Sequence, residues 1–161
     1  MTRHDDFARW LYRGGRPNRL GRLLNRMAIH LPSGPKDNRL ASLEVRGRRT
    51  GRTISFPVVV AQYQGERYLV AMLGDHTNWV RNVEAAGGRA VLRQGRREDV
   101  QLEPAEPDDQ PRILRRYLEV APGARPHIPL DRGSSDEAFA EVAERLPIFH
   151  VGQAHPAHEP V

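Results

Sequence analysis

Residues 40–73 read LASLEVRGRRTGRTISFPVVVAQYQGERYLVAML, and this stretch decides the fold. Its apolar residues fall in short runs rich in valine, broken by glycine, which is the pattern of strands joined by turns. The spacing predicts a strand over residues 40–46, a glycine-bounded turn over 47–53 and a second strand from Ile54 to Tyr63. Gln64-Gly65 then turns the chain into a strand over residues 67–73, so the last two runs form a hairpin. Pro57 cannot donate to a strand ladder and marks an edge or a bulge.

Beyond this stretch, Gly74 to Asn78 reads as a polar loop and residues 78–86 as a short helix with Asn78 as its N-cap, stopped by Gly87-Gly88. Residues 89–94 and 97–103 make another hairpin, and a helix follows over 109–119 with Pro111 in its first turn. Residues 121–133 hold three prolines and two glycines and read as irregular. Asp136 to Arg145 reads as a helix and Pro147 to Val151 as a last strand. Upstream, Leu20, Leu23, Leu24, Met27 and Leu31 share one helical face within residues 5–31. Five or six strands with short peripheral helices make a mainly β protein of the α+β type, a small barrel with helical decoration. The expected division is an amphipathic helical segment over 1–35, a barrel domain over 36–152 and a flexible tail over 153–161.

Composition narrows the function classes. The 161 residues contain no cysteine, which removes disulfides and thiolate metal sites and fits a reducing compartment. No apolar run is long enough to span a bilayer, and no signal-peptide pattern opens the chain, so a cytoplasmic location is expected. The net charge of +5 is uneven: residues 1–39 carry nine basic and three acidic side chains, the remainder sixteen and seventeen. The barrel domain is therefore near neutral, and nucleic acid is not an expected partner. The basic N-terminal helix either packs its leucine face on the domain or lies on an anionic membrane surface; packing is the favoured reading.

The chain lacks a G-x-S-x-G elbow, an H-E-x-x-H pair, a P-loop and a strand–G-x-G-x-x-G–helix unit. None of the seven histidines pairs with another at helical i, i+4 spacing, and His155 and His158 sit in the tail, so no metal site is expected. The positive signal is Arg46-Gly47-Arg48-Arg49-Thr50-Gly51-Arg52, a basic turn between two strands. Guanidinium groups bind phosphate and carboxylate through paired hydrogen bonds, and glycines let the backbone approach an anion. By itself such a turn reads equally as an anion grip or a solvated tip.

The order of features carries more. The turn G-R-R-T-G, the strand with Pro57, the hairpin at Gln64-Gly65, Tyr68-Leu69-Val70-Ala71, the Gly74 loop and Asn78-Trp79-Val80-Arg81-Asn82-Val83 resemble the deazaflavin-dependent nitroreductases. These are split β-barrels related to the FMN-binding, pyridoxamine-phosphate-oxidase-like proteins. The resemblance spans roughly residues 38–152 and implies coenzyme F420, an 8-hydroxy-5-deazaflavin with a phospholactyl oligoglutamate tail; FMN is the alternative cofactor. It places Arg48 and Arg49 on that tail beside Thr50 and Gly51. It puts Pro57 near the ring, the backbone of Ala71, Met72, Leu73 and Gly74 along the ring and linker, and Trp79 and Asn82 where the site closes. Trp79 reads equally as a core residue, and the Met72 side chain as core. Many members carry an arginine where Ile54 stands here, and Arg52 or Arg81 would have to supply that charge.

The implied reaction is hydride transfer from the reduced deazaflavin to an electron-poor acceptor such as a quinone, an enone or a nitroaromatic. Ser55, Tyr63, His76 and Tyr117 are the substrate-side candidates for stabilising charge on the acceptor. Residues 121–133, with His127, are a candidate lid. The rival reading is a non-catalytic split barrel that binds F420, FMN, haem or a fatty acid. Barrels of this superfamily often pair as homodimers.

Overall fold

The computed structural model describes residues 39–154. The helix expected within 1–35 lies outside them, as does the tail beyond Ala154. The described chain runs β1 (Leu40–Arg46), β2 (Thr53–Val59), β3 (Ala61–Tyr63), β4 (Glu66–Val70), α1 (Asn78–Ala85), β5 (Arg89–Gln94) and β6 (Arg96–Pro104). It continues through α2 (Gln110–Val120), a 3-10 turn (Pro122–His127), α3 (Asp136–Ala143) and β7 (Ile148–Gln153). The seven strands form one sheet in the order β2-β1-β5-β6-β7-β4-β3, and each neighbouring pair is antiparallel.

The expected single strand from Ile54 to Tyr63 is in fact two, because the chain changes partners at Val60. Thr53–Val59 pairs with β1 at one edge of the sheet, while Ala61–Tyr63 pairs with β4 at the other. A single residue can join opposite edges only if the sheet curls. Accordingly β2 and β4 approach within 8 Å between Cα atoms, and the Val60 N–H donates to the Arg39 carbonyl at 2.7 Å. This curl is the split barrel. Pro57 lies on edge strand β2 opposite Ser42, where a missing N–H is tolerated.

Strand alternation sorts the side chains into two cores. Leu43, Val45, Leu69, Leu92, Val100, Leu102 and Val151 fill the barrel, which Val80 and Val83 of α1 close at one end. Tyr68, Val70 and Ile148 face outward under Ile113, Leu114, Tyr117 and Phe139 of α2 and α3. β4 is thus buried on both faces, so its continuous apolar run is a covered strand. The β3–β4 hairpin has positive φ at both Gln64 (50°) and Gly65 (77°), the primed turn whose twist suits the strands.

Other boundaries shift for local reasons. The strand expected over 67–73 ends at Val70, because residues 71–74 turn and the Gly74 N–H reaches the Ala71 carbonyl at 2.9 Å. The N-cap of α1 is Thr77, not Asn78, and its hydroxyl donates back to the Gly74 carbonyl at 3.0 Å. The segment read as irregular contains the Pro122–His127 turn, and Ala124 and Ile128 bury it in the outer core. It is packed against α2 and does not stand open as a lid.

The barrel end opposite α1 is closed by polar groups. Arg67, Gln94 and Glu98 share the inward parity of Leu69, Leu92 and Val100, and Arg67 Nη1 and Nη2 donate to the two Glu98 carboxylate oxygens, each at 2.9 Å. Those hydrogen bonds hold the Glu98 carboxyl below its usual range. A depressed folded value means the pair's contribution is full above the unfolded carboxyl pKa, about 4.3, and is lost as pH falls through the folded one. Glu98→Gln is expected to cost about 1–3 kcal/mol at neutral pH and to flatten the acid limb of a stability-against-pH curve measured by urea unfolding. An unchanged acid limb would assign acid sensitivity to other groups.

Candidate functional site

The basic turn between β1 and β2 is built around two glycines with different reasons. The Gly47 N–H donates to the Arg52 carbonyl and the Gly51 N–H to the Gly47 carbonyl, both at 2.8 Å. A Cβ at Gly47 would stand 3.1 Å from both Ile54 Cδ1 and Thr50 Oγ1, so crowding keeps that position bare. Gly51 has φ of 68°, where a side chain is strained. Thr50 Oγ1 accepts from the Arg52 N–H at 3.3 Å and stiffens the turn.

Helix α1 tethers the turn. Val80 and Val83 are held in the barrel mouth, which aims Asn82 back at the loop. Asn82 Oδ1 accepts from the Arg48 N–H at 3.2 Å and from Arg48 Nη1 at 2.8 Å, and the residue is 3% exposed. Trp79 stands between Phe56 and Phe149, 5.7 Å from each ring, so its indole packs into the barrel mouth beside the turn. Ile54 is 42% exposed with its Cδ1 under Gly47.

Electrostatically the turn is uncompensated. Among the described residues no carboxylate pairs with Arg46, Arg48, Arg49 or Arg52; Glu44, the nearest acid along β1, is held by Arg93 at 2.6 Å and reaches Arg97 at 3.9 Å. Four guanidinium groups within seven residues repel one another, and an anion relieves that repulsion. The donor set therefore suits a ligand bearing a phosphodiester and carboxylates.

The loop from β4 to α1 supplies the adjoining wall. Ala71 is buried with its N–H on the Pro147 carbonyl at 2.9 Å, Met72 packs against the outer core, and Leu73 is partly exposed. Gly74 has φ of 89°, and nothing lies within 4 Å of where its Cβ would stand, which leaves open space for a flat group against its backbone. His76 lies on the exposed part of this loop, its Nε2 3.4 Å from Asp75 and its Nδ1 3.2 Å from Arg81 Nη2.

Arg48, Arg49, Thr50, Gly51, Trp79 and Asn82 are thus gathered at the α1 end of the barrel. Ser55 and Pro57 are on the outward face of β2, and Ser55 Oγ is 2.8 Å from Ser42 Oγ. Tyr63 and Tyr117 belong to the outer layer; the Tyr63 hydroxyl accepts from Gln64 Nε2 at 3.3 Å, and Tyr117 is buried among α2 and α3 residues. Met72 packs against that same layer, so the loop links the two groups. Sequence reading counted Arg46 in the basic turn but gave it no contact with the cofactor; its guanidinium lies over Gly51. Glu44, two places earlier on the same face, is held by Arg93 and Arg97, which sequence spacing does not report.

A curled antiparallel sheet with one helix in its mouth and helices over one outer face defines a split β-barrel. A solved F420-H2 dependent reductase shares this fold with a TM-score of 0.52 at 18% identity, over 71% of this chain and 95% of that one. A protein of unknown function from Agrobacterium tumefaciens matches at TM-score 0.51 and 16% identity, over 71% of this chain and 47% of that chain. No curated protein matches this chain in sequence. The family model for F420H(2)-dependent quinone reductases matches residues 27–144, and the chain belongs to that family. It is an F420-dependent oxidoreductase, and its cofactor is coenzyme F420.

Proposed function

We propose that the protein reduces quinones, with the α1 end of the barrel holding the coenzyme by its tail and the acceptor lying over the ring. The single observation that carries the binding mode is the tethered, acid-free turn: Asn82 fixes Arg48 while Arg49 and Arg52 stay without a carboxylate among the described residues. When bound, reduced coenzyme F420 supplies a hydride from C5 of its ring. The chain's own tasks are then to bind, orient and exclude. Arg48 and Arg49 neutralise the tail, the bare backbone of Gly51 and Gly74 admits close approach, and Trp79 walls the ring's side of the barrel mouth.

Charge developing on the acceptor oxygen calls for hydrogen-bond donors, not for a catalytic dyad. Of the four substrate-side candidates, His76 is on the loop that lines this end, steadied by Asp75 and Arg81. Ser55, Tyr63 and Tyr117 would serve an acceptor that extends toward β2 and the outer layer. Quinones are favoured over enones and nitroaromatics by the family's description. The test is an anaerobic assay of the reduced coenzyme against a panel of all three acceptor classes, following recovery of the oxidised coenzyme's absorption. Turnover highest with quinones is expected. Turnover only with enones or nitroaromatics would change the substrate class, and none above the protein-free rate would leave a binding protein without catalysis.

A further inference from the structure

We propose that Arg46 is a further anion-binding residue of the coenzyme site and supplies the charge that Ile54 does not. This rests on the tail-binding reading of the turn given above. Ile54 cannot contribute a cation, and its side chain is spent packing beneath Gly47. Arg46 lies opposite Thr53 in the β1–β2 register, while Ile54 lies opposite Val45, so the two side chains point to opposite faces of the hairpin. Arg46 therefore presents its charge on the face of the hairpin away from Ile54.

Its position in the turn differs from that of the other arginines nearby. A Cβ on Gly51 would lie 3.5 Å from Arg46 Nη2 and 3.7 Å from Nε, so the guanidinium lies on the side of Gly51 that a side chain would occupy. It has no carboxylate partner among the described residues, because Glu44, the acid two places earlier on the same face, is taken by Arg93 and Arg97. Arg81, by contrast, shares its Nη2 with His76. A guanidinium already laid against backbone loses less rotamer freedom on binding than one ranging through water. The outward face it occupies also carries Ser55 and Pro57. Pro57 pairs opposite Ser42, four residues along β1 from Arg46, or about 13 Å at strand spacing.

The test compares the full chain with Arg46→Gln and Arg46→Lys by equilibrium titration of coenzyme F420 and of its deazaflavin nucleoside fragment, which lacks phosphate and tail. Arg46→Gln is expected to weaken the coenzyme about tenfold, the low end for a charge-assisted bond at an exposed site, and to leave the fragment unchanged. Arg46→Lys should recover most of the loss. The rise in Tm on adding inorganic tripolyphosphate should shrink in Arg46→Gln, while Tm without anion stays level or rises as repulsion within the turn falls. Coenzyme affinity equal to wild type in Arg46→Gln, with affinity lost in Arg48→Ala/Arg49→Ala, would overturn the role of Arg46 alone. Wild-type chain that binds neither coenzyme nor tripolyphosphate would overturn the tail-binding reading together with it.

Discussion

Replacing Arg48 and Arg49 together with alanine is expected to weaken coenzyme F420 binding by about 100-fold or more. Hydrogen bonds to a charged group contribute about 1.5–3 kcal/mol each, and a factor of ten in Kd corresponds to about 1.4 kcal/mol. Two such bonds give two decades at the low end, which is the appropriate end for a turn open to solvent and salt. The fold should tolerate the change. Neither side chain is in an ion pair with a described residue, and the Arg48 main-chain N–H to Asn82 survives the substitution. Arg49→Ala alone is the sharper probe of charge, since it leaves the Arg48 tether whole. Titration followed by fluorescence reads both, and affinities equal to wild type would reduce the turn to a solvated loop.

Gly88→Ala is expected to produce the largest loss of stability from a single methyl group in the barrel. Gly88 has φ of 84°, and its Cβ would run into the Leu102 carbonyl and the Gln101 side-chain amide. The same residue links α1 to the sheet: its N–H donates to the Val83 carbonyl at 2.9 Å, and its carbonyl accepts from the Leu102 N–H at 2.8 Å. Left-handed strain plus a clash with backbone amounts to about 3 kcal/mol or more, or a fall in Tm of roughly 10 °C in a domain of this size. Gly87→Ala is the control. Its φ is 64° but its Cβ would meet nothing within 4 Å, so only the conformational cost of about 1 kcal/mol applies. Equal Tm losses in the two variants would show that the contact with Leu102 relaxes. Because α1 carries Asn82, Gly88→Ala should also loosen the hold on Arg48.

These two variants bear on what a reader of the sequence can and cannot see. Local signals were legible. The Leu40–Arg46 strand, the glycine turn, the Gln64-Gly65 hairpin and the helix before Gly87-Gly88 all follow from spacing and turn chemistry that involve only near neighbours. The split-barrel class and the F420 link came from the order of those features along the chain. Partner choice was not legible. Val60 gives no local sign that the strands before and after it occupy opposite edges of the sheet, because pairing is decided by the curl of the whole barrel. The Arg67–Glu98 closure was hidden for the same reason, since polar residues on a strand look solvent-facing until inward parity is known. Thr77 stands at the N-cap with its hydroxyl turned to the Gly74 carbonyl, a contact set by the loop conformation.

In the site, the turn and the Trp79–Asn82 block were both visible as separate motifs, and the structure brings them into contact through Arg48 and Asn82. The role of Arg46 was not visible, because it depends on the Arg93 and Arg97 side chains of the β5–β6 hairpin claiming Glu44. A cation's freedom is a property of its neighbours in space, and sequence spacing does not report it.

The central claim is that the acid-free turn between β1 and β2 grips the coenzyme by its charged tail. The most direct measurement is the Kd of coenzyme F420 for the full chain at low and at high salt. The predicted result is micromolar or tighter binding at low salt that weakens steadily as salt screens the exposed arginines. Binding that is absent at micromolar concentrations, or present but indifferent to salt, would contradict it.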